Sequence, residues 1–205
     1  MSLLMQTIQQ NPFKWGVNLE TAKMLITSFY KQNVLKRKRE LVKSSDLDAI
    51  MDKIANHMTN PKKPGIILMG GVGCGKSTML YALQGAHNYL YPHYKDIGIV
   101  IKDASTIIEQ VQKQEHTLDY KTMPDMMAID DLGKEPTEIM VYGSIVQPIV
   151  ELFECRYNAQ LPMMITTNLE KRQVAEKYGR RIADRFNEFF EVIEFTKCSY
   201  RRLKV

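Results

Sequence analysis

The stretch that decides the fold is Gly65–Thr78, "GIILMGGVGCGKST". An apolar run passes into closely spaced glycines, and Lys76 and Ser77 follow at the start of an amphipathic helical pattern. Glycines let the backbone curl so that several N–H groups face one anion, and a helix N-terminus adds its dipole. The spacing Gly-x4-Gly-Lys-Ser, between a strand and a helix, therefore predicts a loop that binds the phosphates of a nucleotide.

Each residue type in this loop has a predicted role. Lys76 is placed to reach the terminal phosphates of ATP, and the hydroxyl of Ser77 is placed to hold Mg²⁺. Cys74 is interpreted as a passive filler of the loop. The predicted nucleotide-binding residues are Gly70, Gly71, Val72, Gly73, Cys74, Gly75, Lys76, Ser77 and Thr78.

Short apolar runs alternate with helical patterns after residue 60. This alternation predicts an α/β fold whose mostly parallel, five-stranded sheet lies between helices. The candidate strands are Ile66–Met69, Ile97–Ile101, Met126–Ile129, Pro162–Thr166 and Phe190–Phe195, and the candidate helices are 76–89, 104–115, 137–158, 170–177 and 179–187.

Two carboxylates end the third candidate strand, in "MMAIDDLG" (Met126–Gly133). Asp130 is predicted to hold Mg²⁺ with Ser77, directly or through water, because hard cations prefer oxygen ligands. Asp131 is predicted to polarise the water that attacks the γ-phosphate. Alone, the pattern would also fit a strand that ends in a turn, but beside a phosphate loop it indicates a catalytic pair.

Another candidate strand ends in polar residues, Thr166, Thr167 and Asn168, within "LPMMITTNLEKRQVAEKYGRRIADRF" (Leu161–Phe186). Ligands of open parallel sheets bind at the carboxyl ends of the strands, so Asn168 is predicted to approach the γ-phosphate or the attacking water. The alternative is that Asn168 caps the next helix.

Arg181 and Arg185 share a helix face. Arg185 is predicted to reach the γ-phosphate of a neighbouring subunit, and a surface salt bridge is the competing explanation.

The chain has 205 residues and a formal net charge of +5. Residues 1–64 carry eleven Lys or Arg against five Asp or Glu, which indicates an anionic partner or a solvated helix face. No apolar run is long enough to span a bilayer, no signal peptide is evident, and the three cysteines have no ligand spacing. We expect a cytoplasmic protein.

Residues 1–60 are predicted to form a helical appendage that docks a partner, and residues 61–205 to form the nucleotide-binding domain. Apolar residues at helical spacing include Leu25, Ile26 and Phe29, and the basic run Lys36–Arg39 follows. Such an appendage has little core of its own. It therefore either packs on the larger domain or docks on another protein, in which case Leu25, Ile26 and Phe29 would be the anchors.

The combination of these motifs resembles the AAA+ ATPases of the DnaC/IstB-like branch, over residues 61–205. The resemblance is carried by "GGVGCGKST", "AIDDLG", "YGSIVQPIVELFECRYNAQLPMMITTNL", "YGRRIADRF" and "SYRRLKV". It implies phosphate-loop roles for Lys76 and Ser77, an acidic pair Asp130 and Asp131, a sensor role for Asn168 and an arginine finger at Arg185. It also marks Arg201 as a terminal arginine of the branch.

The chain departs from wider AAA+ patterns in two respects. Asp131 stands where many members carry Glu, so slow hydrolysis of ATP is expected. Few residues follow the last candidate strand, so no C-terminal helical lid is expected.

The resemblance implies an ATP-dependent replicative helicase loader. We expect it to bind a hexameric DnaB-type helicase, to contact single-stranded DNA without sequence preference, and to form homo-oligomers with ATP. An IstB-like regulator of transposition is the alternative, with a transposase as partner. A small-molecule P-loop kinase is a third hypothesis, but the sequence offers no obvious acceptor pocket.

Overall fold

The computed structural model describes residues 14–42, 44–92, 98–113 and 126–196, together with the backbone of residues 201–203. The helices are α1 (Leu19–Lys36), α2 (Ser45–Thr59), α3 (Lys76–Leu90), α4 (Ala104–Lys113), α5 (Pro148–Asn158), α6 (Lys171–Tyr178) and α7 (Arg180–Phe189). The strands are β1 (Arg39–Leu41), β2 (Gly65–Gly70), β3 (Ile99–Asp103), β4 (Met126–Leu132), β5 (Ile139–Val141), β6 (Ser144–Val146), β7 (Met163–Thr167), β8 (Phe190–Phe195) and β9 (Arg201–Leu203).

A five-stranded sheet with the order β3-β4-β7-β2-β8 forms the centre of the fold. All of its pairings are parallel. Because successive side chains of a strand point to opposite faces, Ile66 and Leu68 of β2 enter one hydrophobic cluster and Ile67 and Met69 enter another. The first cluster contains α1, α2 and α3, and the second contains α4, α5, α6 and α7. The predicted α/β class, with a parallel sheet between helices, is confirmed.

The five candidate strands are all present, with small shifts at their ends. Residue 97, where the second candidate strand was expected to begin, and residues 114–115 of the predicted helix 104–115 lie outside the described residues. The acidic strand β4 is longer than predicted and runs through the Asp130–Asp131 pair to Leu132.

The prediction of one helix over 137–158 is wrong in its first half. Residues 139–146 form a hairpin of β5 and β6, and α5 begins only at Pro148. Tyr142 and Gly143, at the tip of the hairpin, have positive φ angles of 49° and 80°, which a helix cannot accommodate. Proline is favoured in the first turn of a helix, so Pro148 marks the start of α5.

The described part of the N-terminal segment packs on the sheet domain. Ile26, Tyr30 and Ile54 are fully buried, in the same cluster as Ile66 and Leu68. The prediction that Leu25 and Ile26 anchor a partner is therefore wrong, because both side chains are buried in the chain's own core. Phe29 is only partly buried and packs against the same cluster. The functional boundary at residue 60 stays a prediction.

The chain beyond β8 contributes one further strand to the described structure. Strand β9 pairs antiparallel with β1, and the backbone of Arg201 lies opposite Leu41. Within the described residues after β8 there is no helix. Among the helices that the structure describes, none is long and apolar enough to cross a membrane.

Candidate functional site

The loop between β2 and α3 has a backbone that only glycine tolerates at several positions. Gly73 and Gly75 have φ angles of 80° and 103°. A Cβ atom on Gly75 would lie 2.3 Å from the hydroxyl oxygen of Tyr30, and one on Gly70 would lie 2.5 Å from the carbonyl oxygen of Phe195. The sequence predicted that these glycines shape the loop, and the backbone angles agree.

Lys76, at the start of α3, is buried with only 5% of its surface exposed. Its ammonium group donates hydrogen bonds to the carbonyl oxygens of Gly70 and Gly71, both at 2.8 Å, and to Asn168 Oδ1 at 2.7 Å. Its distance to Cys74 Sγ is 3.5 Å. Since β2 and β7 are neighbours in the sheet, the loop lysine and the polar end of β7 meet at one edge.

Asp130 connects the acidic strand to the start of α3. Ser77 Oγ donates to Asp130 Oδ1 at 2.9 Å, and Thr166 Oγ1 donates to the same oxygen at 2.5 Å. A hydroxyl and a carboxylate at this separation fit Mg²⁺, which is usually bound by one or two protein oxygens plus water and substrate phosphates. No group of three or more Asp, Glu, His or Cys side chains that could hold a metal occurs among the described residues.

Asp131 has a left-handed backbone, with φ of 57°. The β4–β7 pairing is irregular between Ile129 and Leu132, and the N–H of Asp131 donates to Thr166 Oγ1 at 2.8 Å. The carboxylate accepts a 2.5 Å bond from Lys134 Nζ, which raises the pKa of that ammonium. This bulge within β4 changes the direction of the Asp131 side chain, which lines the pocket.

Asn168 does not cap the next helix. The N-cap of α6 is Glu170, which forms a capping box with Gln173. The side-chain oxygen of Asn168 instead accepts the bond from Lys76. The capping alternative is therefore wrong, and the contact with Lys76 agrees with the position predicted for a sensor.

A pocket of about 130 Å³ lies at the mouth of the loop between β2 and α3. The residues that line it are Arg37, Val72, Gly73, Gly75, Lys76, Ser77, Thr78, Asp131, Lys134 and Asn168. Sequence reasoning missed Arg37 and Lys134 as pocket residues. Lys134 follows the acidic pair by three residues, so its proximity to Asp131 could have been expected. Arg37 lies at the pocket because of tertiary packing, which a single sequence does not indicate.

Glu135 was also missed, and it supports the turn after the acidic pair. Its side chain is 2% exposed, accepts a 2.8 Å bond from the N–H of Gly133, and accepts a bond from the hydroxyl of Tyr178. Burial and this carboxylate raise the pKa of Tyr178. Lys177 Nζ also donates to the carbonyl oxygen of Glu135. The turn is thereby attached to α6, which begins just after Asn168.

Arg185 does not line this pocket. Its guanidinium donates to Glu154 at 2.7 Å and lies 4.9 Å from the ring centroid of Tyr157, while Arg181 donates to the same carboxylate. The competing explanation, an ion pair within the chain, thus holds for both arginines. An action of Arg185 on a neighbouring subunit stays a prediction.

The glycine-rich loop after β2, the acidic end of β4 and the polar end of β7 thus meet at one edge of a parallel α/β sheet. No protein-family model matches the chain, and no curated protein sequence matches it. Solved structures do. The chain is similar to the DnaC helicase loader with a TM-score of 0.57 and 20% identity, covering 75% of this chain and 92% of that one.

Two further structures share the fold. DnaI matches with a TM-score of 0.52 and 19% identity, over 74% of this chain and 86% of that one. AMPPCP-bound DnaA from Aquifex aeolicus matches with a TM-score of 0.53 and 17% identity, over 75% of this chain and 47% of that one. At these identities the similarity establishes the fold, and the structural part of the resemblance found in the sequence is confirmed.

Proposed function

We propose that this chain is an ATP-dependent replicative helicase loader of the DnaC type. It would bind and hydrolyse ATP at subunit interfaces and help to place a hexameric DnaB-type helicase on DNA. One observation carries the proposal: Lys76 bonds to Asn168 while Ser77 bonds to Asp130, so the four polar side chains expected of such a site lie at one sheet edge.

In this arrangement, different side chains would contact different parts of bound ATP. The loop N–H groups and Lys76 would bind the phosphates. Ser77 and Asp130 would hold Mg²⁺, which neutralises phosphate charge when it is bound. Asp131 would orient the attacking water, and Asn168 would hydrogen-bond the γ-phosphate. Because Asp131 has a shorter side chain than Glu and is engaged by Lys134, slow turnover is expected.

A second set of features supports the assignment to loaders among AAA+ proteins. These features are the shared fold with DnaC and DnaI and the basic N-terminal segment. In this role the chain would act in the cytoplasm, oligomerise with ATP and contact single-stranded DNA without sequence preference. Arg185 would then serve a neighbouring site after leaving Glu154.

The test is gel filtration of the full chain with its cognate DnaB-type helicase, with and without ATP and Mg²⁺. A stable complex, together with transfer of the helicase to circular single-stranded DNA, is the expected result. Lys76→Ala serves as the control that should lose the ATP dependence. Retention of a transposase instead of the helicase would favour the IstB-like alternative. ATP-dependent phosphorylation of a small acceptor without DNA would favour a kinase.

A further inference from the structure

Helix α1 ends beside the phosphate pocket and brings a cation to it. Arg37 is the C-cap residue of α1, and its Nη1 donates to Thr78 Oγ1 at 3.2 Å. Thr78 lies in the first turn of α3, two residues after Lys76. Arg37 therefore joins the lining of the pocket although it is distant in sequence from every predicted site residue.

Two glycines of the loop and α3 allow this approach. A Cβ atom on Gly75 would meet the Tyr30 hydroxyl oxygen at 2.3 Å, and one on Gly85 would meet the ring of Phe29 at 2.6 Å. Tyr30 is fully buried, as is Val34 one turn later. The close packing of α1 on α3 thus places the end of α1, and with it Arg37, beside Thr78.

The local charges leave Arg37 suited to an added anion. Lys134 is paired with Asp131, and Lys76 is surrounded by carbonyl oxygens. Among the residues that the structure describes, no carboxylate forms an ion pair with Arg37; its contact is the neutral hydroxyl of Thr78. The carbonyl groups at the end of α1 carry partial negative charge, so phosphate would be repelled there without a cation.

We propose that Arg37 binds the inner phosphates of the nucleotide, an inference that rests on the proposed ATP site. The terminal-phosphate side is marked by Asn168 and Asp130, which contact Lys76 and Ser77. Arg37 contacts Thr78, in the helix turn whose N–H groups cradle the inner phosphates of loops of this kind. Arginine suits this task because its planar, permanently charged fork matches phosphate oxygens. The N-terminal segment would then respond to bound nucleotide, whether ATP or ADP.

The test compares the affinities of the full chain for ATP and for ADP by calorimetry. Arg37→Gln should weaken both by a similar factor, about tenfold, because one charge-assisted bond is lost. Arg37→Lys should recover part of the loss. Lys31→Gln, on the same helix and with the same change in charge, should leave both affinities unchanged, and thermal unfolding of each variant verifies the fold.

Several outcomes would overturn the inference. Unchanged affinities in Arg37→Gln would exclude the contact, and a loss restricted to ATP would place Arg37 at the γ-phosphate instead. An equal loss in Lys31→Gln would show that only the general charge of α1 matters. Failure of the wild-type chain to bind either nucleotide would instead contradict the proposed function, so the two failures are distinguishable.

Discussion

Lys76 and Asn168 are joined by a 2.7 Å hydrogen bond across 92 positions of sequence. The bond exists because β2 and β7 pair in parallel, with Met69 opposite Thr167, so the loop after one strand and the turn after the other begin side by side. Lys76, which would bind the terminal phosphates, therefore already contacts Asn168, which would sense them. A change in phosphate number at this point would be transmitted to the turn before α6.

Asp131→Asn should retain ATP binding and lose turnover. The substitution removes the carboxylate predicted to orient water but leaves Ser77 and Asp130 in place. Asn tolerates the left-handed backbone found at this position, so the bulge should persist. Calorimetry and a phosphate-release assay would measure the two effects, with Asp184→Asn, on the exposed surface of α7, as the control. Turnover at the wild-type rate would mean that Asp131 does not orient the water.

The sequence predicted the phosphate loop, the acidic pair and the polar end of β7 because each depends on local chemistry. Three glycines with positive φ, an apolar strand and a helix start are all visible within Gly65–Thr78. The hairpin at residues 139–146 was missed because its apolar residues also fit a helical period. The tight turn at Tyr142 and Gly143 excludes a helix there, and the only feature of the sequence that indicates this turn is one glycine.

Mixing two inactive variants should restore part of the ATPase activity if Arg185 acts on a neighbouring subunit. Lys76→Ala has an intact arginine and Arg185→Ala an intact loop, so some interfaces of mixed assemblies would combine both. Arg181→Ala is the matched control, because it contacts the same Glu154 and is predicted to have no such role. Loss of the Arg181–Glu154 ion pair, whose arginine is exposed, should cost about 0–1 kcal/mol of stability. No recovery, with assembly verified by light scattering, would count against a finger role.

Acidification should destabilise the protein through His57. This side chain is fully buried and bonded to Glu191 at 2.7 Å, and burial, outweighing that carboxylate, lowers its pKa below 6.5. The folded state thus prefers neutral His57. The contribution of neutral His57 to the free energy of unfolding is fully present above pH 6.5. It declines as the pH falls from 6.5 through the lowered pKa of the folded state.

Thermal unfolding at pH 7.5 and 5.5 measures this effect. The wild-type chain should lose more stability between the two values than His57→Gln, which has no group to protonate. An equal loss in both proteins would show that other groups cause the pH dependence.

Binding to single-stranded DNA should be weak, independent of sequence and steeply dependent on salt, because phosphate contacts would dominate it. The candidates are the basic run Lys36–Arg39 and basic residues of the larger domain. Since Arg37 lines the pocket beside Lys76, the double variant Lys36→Gln/Lys38→Gln is the sharper test. If both lysines contact phosphates, it should reduce the slope of log affinity against log salt by about 1.4. Lys53→Gln, on α2, is the control. A shallow slope in the wild-type chain, or a strong preference for one sequence, would contradict the prediction.

The site was less predictable where it depends on contacts between distant segments. Arg37 falls in a basic run for which the sequence indicates an anionic partner or a solvated helix face, and only the packing of α1 on α3 shows which of its cations reaches the loop. The sequence left open whether Leu25 and Ile26 pack on the larger domain or anchor a partner, because amphipathic spacing does not reveal what a helix face packs against. In both cases the missing information is the tertiary partner of α1.

Calorimetric titration of the full chain with ATP and Mg²⁺, for wild type and Lys76→Ala, tests the central claim most directly. Lys76 would supply a charge-assisted contact worth about 1.5–3 kcal/mol, so its loss should weaken affinity at least about tenfold. Lys53→Ala should bind as the wild type does, and thermal unfolding should show that Lys76→Ala is folded. Tight binding by the wild type with this loss is the predicted result; equal affinity in a folded Lys76→Ala would contradict the assignment of the phosphate loop.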